Sequence, residues 1–384
     1  MRQLSNHLKF NIGIVGAGEF AEFAAKAFLK INGIHIVGVT DINEASGRKM
    51  AVAVNAKFHN NITDLLTDDS IDLVYIATPP YLHFRQSEMA FRAGKHVICE
   101  KPAALRTIEA ETLAAYAKEN NLLYVVNLMQ RYNPLYAIVK TIIDEKWLGD
   151  FVHGFFENYA SDEKLIPEHW FWDEEKSGGI FIEHGVHFFD MFSGWLGEGE
   201  LISSFEIQRP GVEEKIIDRV QADVLYQDGP VNFYHGFNQP KLLDRQELRL
   251  QFDRGDITLY EWIPVKIRLH GLLKVQQVEK LKSLFPGCKI EVHSDDSTHK
   301  KVRGKFRDID FDSLITMESG DIADKMFRYE QLVTSMLEDQ LNWIKDPSQV
   351  RKIDDTNAVE SLRMAEEATK RAAVFAPKSP KGHF

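Results

Sequence analysis

The residues whose spacing points most directly to chemistry are Gly16, Gly18 and Ala21, in the stretch Phe10-Asn11-Ile12-Gly13-Ile14-Val15-Gly16-Ala17-Gly18-Glu19-Phe20-Ala21. An apolar run ends in Gly-x-Gly-x-x-Ala, and a helical pattern over Glu19–Lys30 follows at once, which reads as strand, tight turn and helix. Gly16 lets the chain turn sharply, and Gly18 leaves no Cβ where a pyrophosphate would approach the backbone of Ala17 and Gly18. Ala21 is small enough for helix and strand to pack closely. The helix start at Glu19 and Phe20 offers free N–H groups and a partial positive charge to phosphates. A second apolar run, Ile34–Val39, ends in Thr40-Asp41. Asp41 lies about 20 residues beyond the turn, where a carboxylate meets the adenosine ribose. The pattern predicts a dinucleotide site, and Asp41 predicts NAD over NADP. A carboxylate repels a 2′-phosphate by roughly 4 kcal/mol per unit charge at about 4 Å and an effective dielectric of about 20, less where solvent screens it.

Such a site needs a parallel sheet to hold it. Further strand patterns follow at Ile71–Ala77, which stops on Thr78-Pro79-Pro80, at His96–Cys99, which stops on Glu100-Lys101-Pro102, and at Leu122–Val126. Helical patterns lie between them, at Asn43–Val54, around His83 and at Thr107–Asn120. Alternation with short links implies a parallel sheet covered on both faces, with ligands at the carboxyl ends of its strands. Gly16, Asp41, Thr78 with Pro79, and Glu100 with Lys101 all stand at such ends.

The pattern changes after about residue 127. A helix is expected over Asn133–Trp147, then strands at Phe151–Phe156, Gln221–Tyr226, Val231–Phe237, Glu247–Phe252 and Asp256–Tyr260. Turns such as Asp228-Gly229 and Arg254-Gly255 join successive strands, so this sheet is expected to be open and mostly antiparallel. The stretch His293–Lys305 reads as a surface loop or weak hairpin, Lys325–Trp343 and Asp355–Phe375 as closing helices, and the tail Pro377–Phe384 as frayed. The expected fold is therefore α/β, with a Rossmann dinucleotide-binding domain over 1–127 and an α/β domain over 128–384.

At 384 residues, with 44% hydrophobic and 27% charged residues, the chain reads as a globular protein of two domains. A net charge of −11, with no basic block, argues against nucleic acid as a partner. Cys99 and Cys288 form no ligand-spaced pair, so neither a disulfide framework nor a cysteine metal site is expected. No signal segment or membrane-spanning run stands out, and the expected location is the cytoplasm.

Taken together, several motifs resemble the glucose-fructose oxidoreductase / inositol dehydrogenase (Gfo/Idh/MocA) family. They are Gly16–Ala21, Ala77-Thr78-Pro79-Pro80 with His83, Gly94-Lys95-His96-Val97-Ile98-Cys99-Glu100-Lys101-Pro102, Arg131 with Pro134, and Gly178-Gly179-Ile180-Phe181-Ile182-Glu183-His184-Gly185-Val186-His187-Phe188-Phe189-Asp190. Two positions depart from the family pattern: Glu183 stands where aspartate is usual, and Ile180 where a third glycine is frequent. The resemblance implies an NAD(P)-dependent oxidoreductase acting on a sugar, polyol or cyclitol. It also implies a homodimer or homotetramer built through the C-terminal sheet, and a Lys101 that contacts nicotinamide ribose and substrate.

Hydride transfer from a secondary alcohol needs a base for the hydroxyl proton and a dry cofactor face beside the carbon. Lys101 and His187 are the candidates, with Glu183, one helical turn before His187, as its orienter. Among cofactor contacts, Thr78, Pro79 and His83 are expected at the nicotinamide, with Glu100 beside Lys101. Asp190 and Arg131 are expected at the substrate, and Trp170, in His169-Trp170-Phe171-Trp172, as a stacking wall for a sugar. Glu183 and His187 also have the i, i+4 spacing of two zinc ligands, but a catalytic zinc needs a third. The expectation is a relay without metal. Two other functions share the motifs: a glycoside hydrolase that retains NAD and oxidises its sugar transiently, and a non-catalytic dinucleotide or sugar sensor.

Overall fold

The computed structural model of the chain describes residues 9–212, 215–294, 300–303 and 308–377. They form two compact units. The first comprises Met1–Tyr132, His169–Asp190 and Tyr329–Thr369, the second Asn133–Glu168, Met191–Arg328 and Lys370–Phe384.

The first unit is built on six parallel strands: β1 (Phe10–Val15), β2 (Ile34–Thr40), β3 (Lys57–Phe58), β4 (Leu73–Ile76), β5 (His96–Cys99) and β6 (Tyr124–Val126). Their order is β3-β2-β1-β4-β5-β6, the order of a dinucleotide-binding sheet. β4 is buried at every residue and β1 at all but Asn11, as strands covered on both faces must be. The connecting helices are α1 (Glu19–Phe28), α2 (Glu44–Ala53), α3 (Ile62–Leu66), α4 (His83–Arg92) and α5 (Thr107–Glu119). Helix α1 turns Ala21, Ala24, Ala25 and Ala27 inward with Phe28, so its backbone lies close to the sheet. Asn43 caps α2 by accepting the Ser46 N–H at 3.1 Å, and Asn61 caps α3 from Asp64 at 2.9 Å. The strand order reverses between β1 and β4, and that switch point is where the turn after β1 and the Thr78 turn meet.

The remaining helices are α6 (Pro134–Asp144), α7 (Glu174–Ser177), α8 (Val186–Leu196), α9 (Val275–Leu284), α10 (Lys325–Lys345) and α11 (Asp355–Arg371). The second unit carries β7 (Phe151–Ser161), β8 (Glu200–Gln208), β9 (Ile217–Tyr226), β10 (Gly229–Gln239), β11 (Arg245–Phe252), β12 (Gly255–Tyr260), β13 (Lys266–Leu273), β14 (Lys289–Ser294), β15 (Lys300–Arg303), β16 (Asp308–Phe311), β17 (Ser313–Gly320) and β18 (Ala373–Phe375). Ten of these form one sheet in the order β14-β17-β13-β12-β11-β7-β10-β9-β8-β18. It is mostly antiparallel, with parallel pairing of β7 with β10 and of β8 with β18. β15 and β16 pair as a separate antiparallel ladder, while the rest of the His293–Lys305 stretch from 295 to 299 and from 304, and the tail beyond Pro377, lie outside the described residues.

One expected element is corrected. The helix over Asp355–Phe375 stops at Arg371, and Ala373, Val374 and Phe375 instead join β8 as an edge strand. Among the described residues no helix is long and apolar enough to cross a membrane.

Candidate active site

The turn after β1 has the shape that a dinucleotide requires. Gly16 has φ +99°, and a Cβ there would stand 2.5 Å from the Ala77 carbonyl oxygen, so no other residue fits without displacing backbone. At Gly18 a Cβ would meet nothing within 4 Å, which leaves open space over the turn. Gly18 is also the N-cap of α1 and supplies no side-chain acceptor to its first turn. An uncapped helix start facing open space is an anion site. Asp41 braces the turn from the end of β2: its carboxylate accepts the N–H of Ala17 and the N–H of Asn43, each at 2.6 Å. These residues fit an NAD pyrophosphate and ribose. Glu19 and Phe20 begin α1, and Phe20 packs its ring at 5.6 Å from Tyr329 of α10.

The turns after β4 and β5 are tied together by His83. This ring is wholly buried, with Nε2 2.7 Å from the carbonyl oxygen of Thr78 and Nδ1 2.7 Å from that of Pro102. Burial pushes its pKa down, against the lift from those two carbonyls. Thr78 also donates its hydroxyl to Gln86 at 2.6 Å, and Pro79 caps the short 3-10 turn Pro80–Leu82. The Lys101-Pro102 peptide is cis.

Beyond that peptide the Lys101 ammonium donates to the Glu183 carboxylate and, at 2.8 Å, to the Glu183 carbonyl oxygen. The two side chains are 19% and 13% exposed, so the pair is largely out of solvent. Glu100, one residue back, accepts from the Tyr75 hydroxyl and from the Asn127 amide at 2.8 Å. Burial lifts its carboxyl pKa, opposed by those donors and by Lys101.

Glu183 lies on a segment that is not a plain α-helix. Phe181–Gly185 is wound as a π-turn that runs into α8 at Val186, an irregularity often found at functional sites. His187, in the first turn of α8, is buried, and its pKa falls to about 3, first through burial and then through the Lys101 charge.

Arg131 and Asp190 meet each other. The guanidinium contacts the Asp190 carboxylate at 2.8 and 3.0 Å and its carbonyl oxygen at 3.0 Å, and Asn357 of α11 donates to the same carboxylate at 3.1 Å. Trp170 lies in a cluster with His169 at 5.3 Å and Phe171 at 6.4 Å between ring centres. Among the described residues no group of three or more His, Cys, Asp or Glu side chains is arranged to hold a metal ion. The residues that sequence reasoning did not single out are Tyr75, Asn127, Tyr329 and Asn357. Each meets its partner from a different part of the sequence, and no local spacing marks it.

Residues 10–128 match the model of an oxidoreductase family with an NAD-binding Rossmann fold, and residues 136–257 match the GFO/IDH/MocA C-terminal domain. The chain belongs to the GFO/IDH/MocA family of oxidoreductases. An oxidoreductase of Formosa agariphila is 28% identical over 71% of the chain and 86% of its own length. A glucose-6-phosphate 3-dehydrogenase of Bacillus subtilis is 28% identical over 56% of the chain and 61% of its own length. In fold, the chain is similar to a 3-ketoreductase of Actinomadura kijaniata solved with NADP and TDP-benzene. The TM-score is 0.73 at 15% identity, covering 96% of this chain and 99% of the other.

Proposed function

We propose that the protein is an NAD-dependent dehydrogenase acting on a secondary alcohol of a sugar, polyol or cyclitol. The observation that carries this reading is the largely buried Lys101–Glu183 pair at the end of β5. The sugar or polyol class rests on relatives such as the glucose-6-phosphate and scyllo-inositol dehydrogenases of Bacillus subtilis. Gly16–Phe20 and Asp41 would hold the pyrophosphate and adenosine ribose of NAD, and Thr78, Pro79 and the Glu100-Lys101 turn would face its nicotinamide end. Bound NAD supplies the hydride acceptor.

The chain's own groups manage the proton and the charge. His187, held neutral by burial, is the candidate acceptor of the hydroxyl proton. Lys101 places its ammonium on the oxygen as negative charge develops there, an electrostatic role that grows in a dry site. Glu183 anchors Lys101, so the ammonium arrives without reorganisation. The Arg131–Asp190–Asn357 cluster sets the start of α8, and through it the position of His187. Residues 1–127 are assigned to the cofactor and 128–384 to substrate and oligomer formation, with Trp170 as a candidate stacking surface and the second sheet as the contact of a homodimer or homotetramer. The test is a panel of sugars, polyols and cyclitols assayed for NADH formation. At least one is expected to turn over, and silence across the panel at saturating NAD would remove the proposal.

A further inference from the structure

His83 takes no part in the chemistry above, yet its ring lies wholly inside the site. We propose that His83 is a positioning residue that ties the turn after β4 to the turn after β5 and thereby fixes the base of Lys101. This rests on the reading of Lys101 as the group that meets the reacting oxygen.

As the first residue of α4, His83 has its backbone set by a helix. Its ring bridges the carbonyl oxygens of Thr78 and Pro102, both at 2.7 Å. Gln86, one turn further along α4, accepts the Thr78 hydroxyl, so the β4 turn is moored twice to the same helix. Pro102 directly follows Lys101, whose ammonium ends on Glu183. The lysine stem is a flexible four-carbon chain. Its head is placed only if both ends are held: Glu183 holds one, and the His83–Pro102 contact holds the other. With both ring nitrogens turned to backbone carbonyls and no exposed surface, the imidazole has no face to offer a ligand, unlike the nicotinamide contact that the sequence suggested for His83. A displacement of about 1 Å in a reacting group is worth on the order of 100-fold in rate, so a backbone anchor has catalytic weight.

Both partners of the ring are acceptors. A neutral imidazole donates to one of them, and a primary amide carries two hydrogens that can serve both. Glutamine is therefore the conservative replacement, leucine fills the volume without a donor, and asparagine offers the same amide on a stem one carbon shorter.

The experiment reads Lys101 directly. Lysines are reductively methylated with 13C, and the Lys101 signal is assigned by its loss in Lys101→Arg. In His83→Leu the Lys101 signal should move toward that of the exposed lysines, and kcat should fall at least about tenfold. Affinity for ADP, which reports the Gly16–Ala21 cradle alone, should stay within about twofold. His83→Gln should restore most of both readouts, and His83→Asn should not. An unmoved Lys101 signal and unchanged kcat in a His83→Leu protein that binds ADP would overturn the proposal. If His83→Leu does not fold, equal behaviour of the asparagine and glutamine variants overturns it instead. A wild-type protein with no dehydrogenase activity would sink the functional reading, whereas the Lys101 resonance decides the positioning role by itself.

Discussion

At the scale of single residues, the candidate site is a lysine held by a carboxylate, with a buried, neutral histidine as the proposed base. Lys101→Met removes the cation proposed to meet the reacting oxygen, and kcat is expected to fall about 10²–10⁴-fold. Calorimetry should still find NAD bound, because Gly16–Phe20 and Asp41 make the cradle. Glu183→Gln, which keeps Lys101 but loosens its anchor, should cost less than Lys101→Met. The burial of His187 gives a prediction about acid. Its folded pKa of about 3 lies below the model value of 6.5, so the unfolded chain takes up a proton that the folded chain refuses. The stability attached to the neutral ring is therefore complete above about pH 6.5 and is lost progressively as the pH falls toward about 3. Urea titrations of His187→Asn at pH 7 and pH 4.5 should show a smaller acid loss than wild type, and an equal or larger loss would contradict this. Lys101 and His187 stand out as candidates in the sequence because a strand-end lysine flanked by Glu100 and Pro102, and a histidine after Gly178-Gly179, are unusual patterns. That the Glu183 carboxylate reaches Lys101 was not legible, since a π-turn is set by packing and leaves no periodic mark.

At the scale of elements, two glycines two residues apart have opposite roles. Gly16→Ala puts a methyl group against the Ala77 backbone at positive φ, and should cost on the order of 1–3 kcal/mol of stability along with the cofactor site. Gly18→Ala meets nothing in the protein, so its Tm should stay within about 2 °C of wild type. The stabilisation that NAD gives to Tm should be lost in Gly18→Ala, because the methyl group occupies the space over the turn. A Gly18→Ala protein still stabilised by NAD as wild type is would remove the pyrophosphate from this turn. Five of the six parallel strands were readable as short apolar runs, four of them closed within a few residues by Gly, Pro or Asp, whereas β3, Lys57-Phe58, is too short to leave a pattern. The end of α11 was not: Ala373-Val374-Phe375 continues a helical pattern, but an available edge on β8 offers backbone partners that local propensity does not reveal.

At the scale of the whole molecule, the sequence shows that there are two kinds of sheet, but not which distant segments complete each unit. His169–Asp190 and Tyr329–Thr369 belong with the Rossmann sheet through contacts such as Tyr329 with Phe20 and Phe23, and Thr107 with Glu366. Such pairings link residues more than 200 positions apart, beyond any local pattern. The Asp41 carboxylate, which accepts the Ala17 N–H at the end of β2, should hold kcat/KM for NAD at least about tenfold above that for NADP, and equal values would contradict that reading. The central claim is that a hydride passes from the alcohol carbon to NAD and leaves with it. The most direct measurement uses an alcohol from the panel that carries deuterium on its carbinol carbon, with the NADH examined by NMR. One deuterium per NADH, on the nicotinamide ring, is the predicted result. If the substrate is consumed while the cofactor remains NAD and a glycosidic bond is cleaved, the oxidation is transient and the account of net dehydrogenation is wrong.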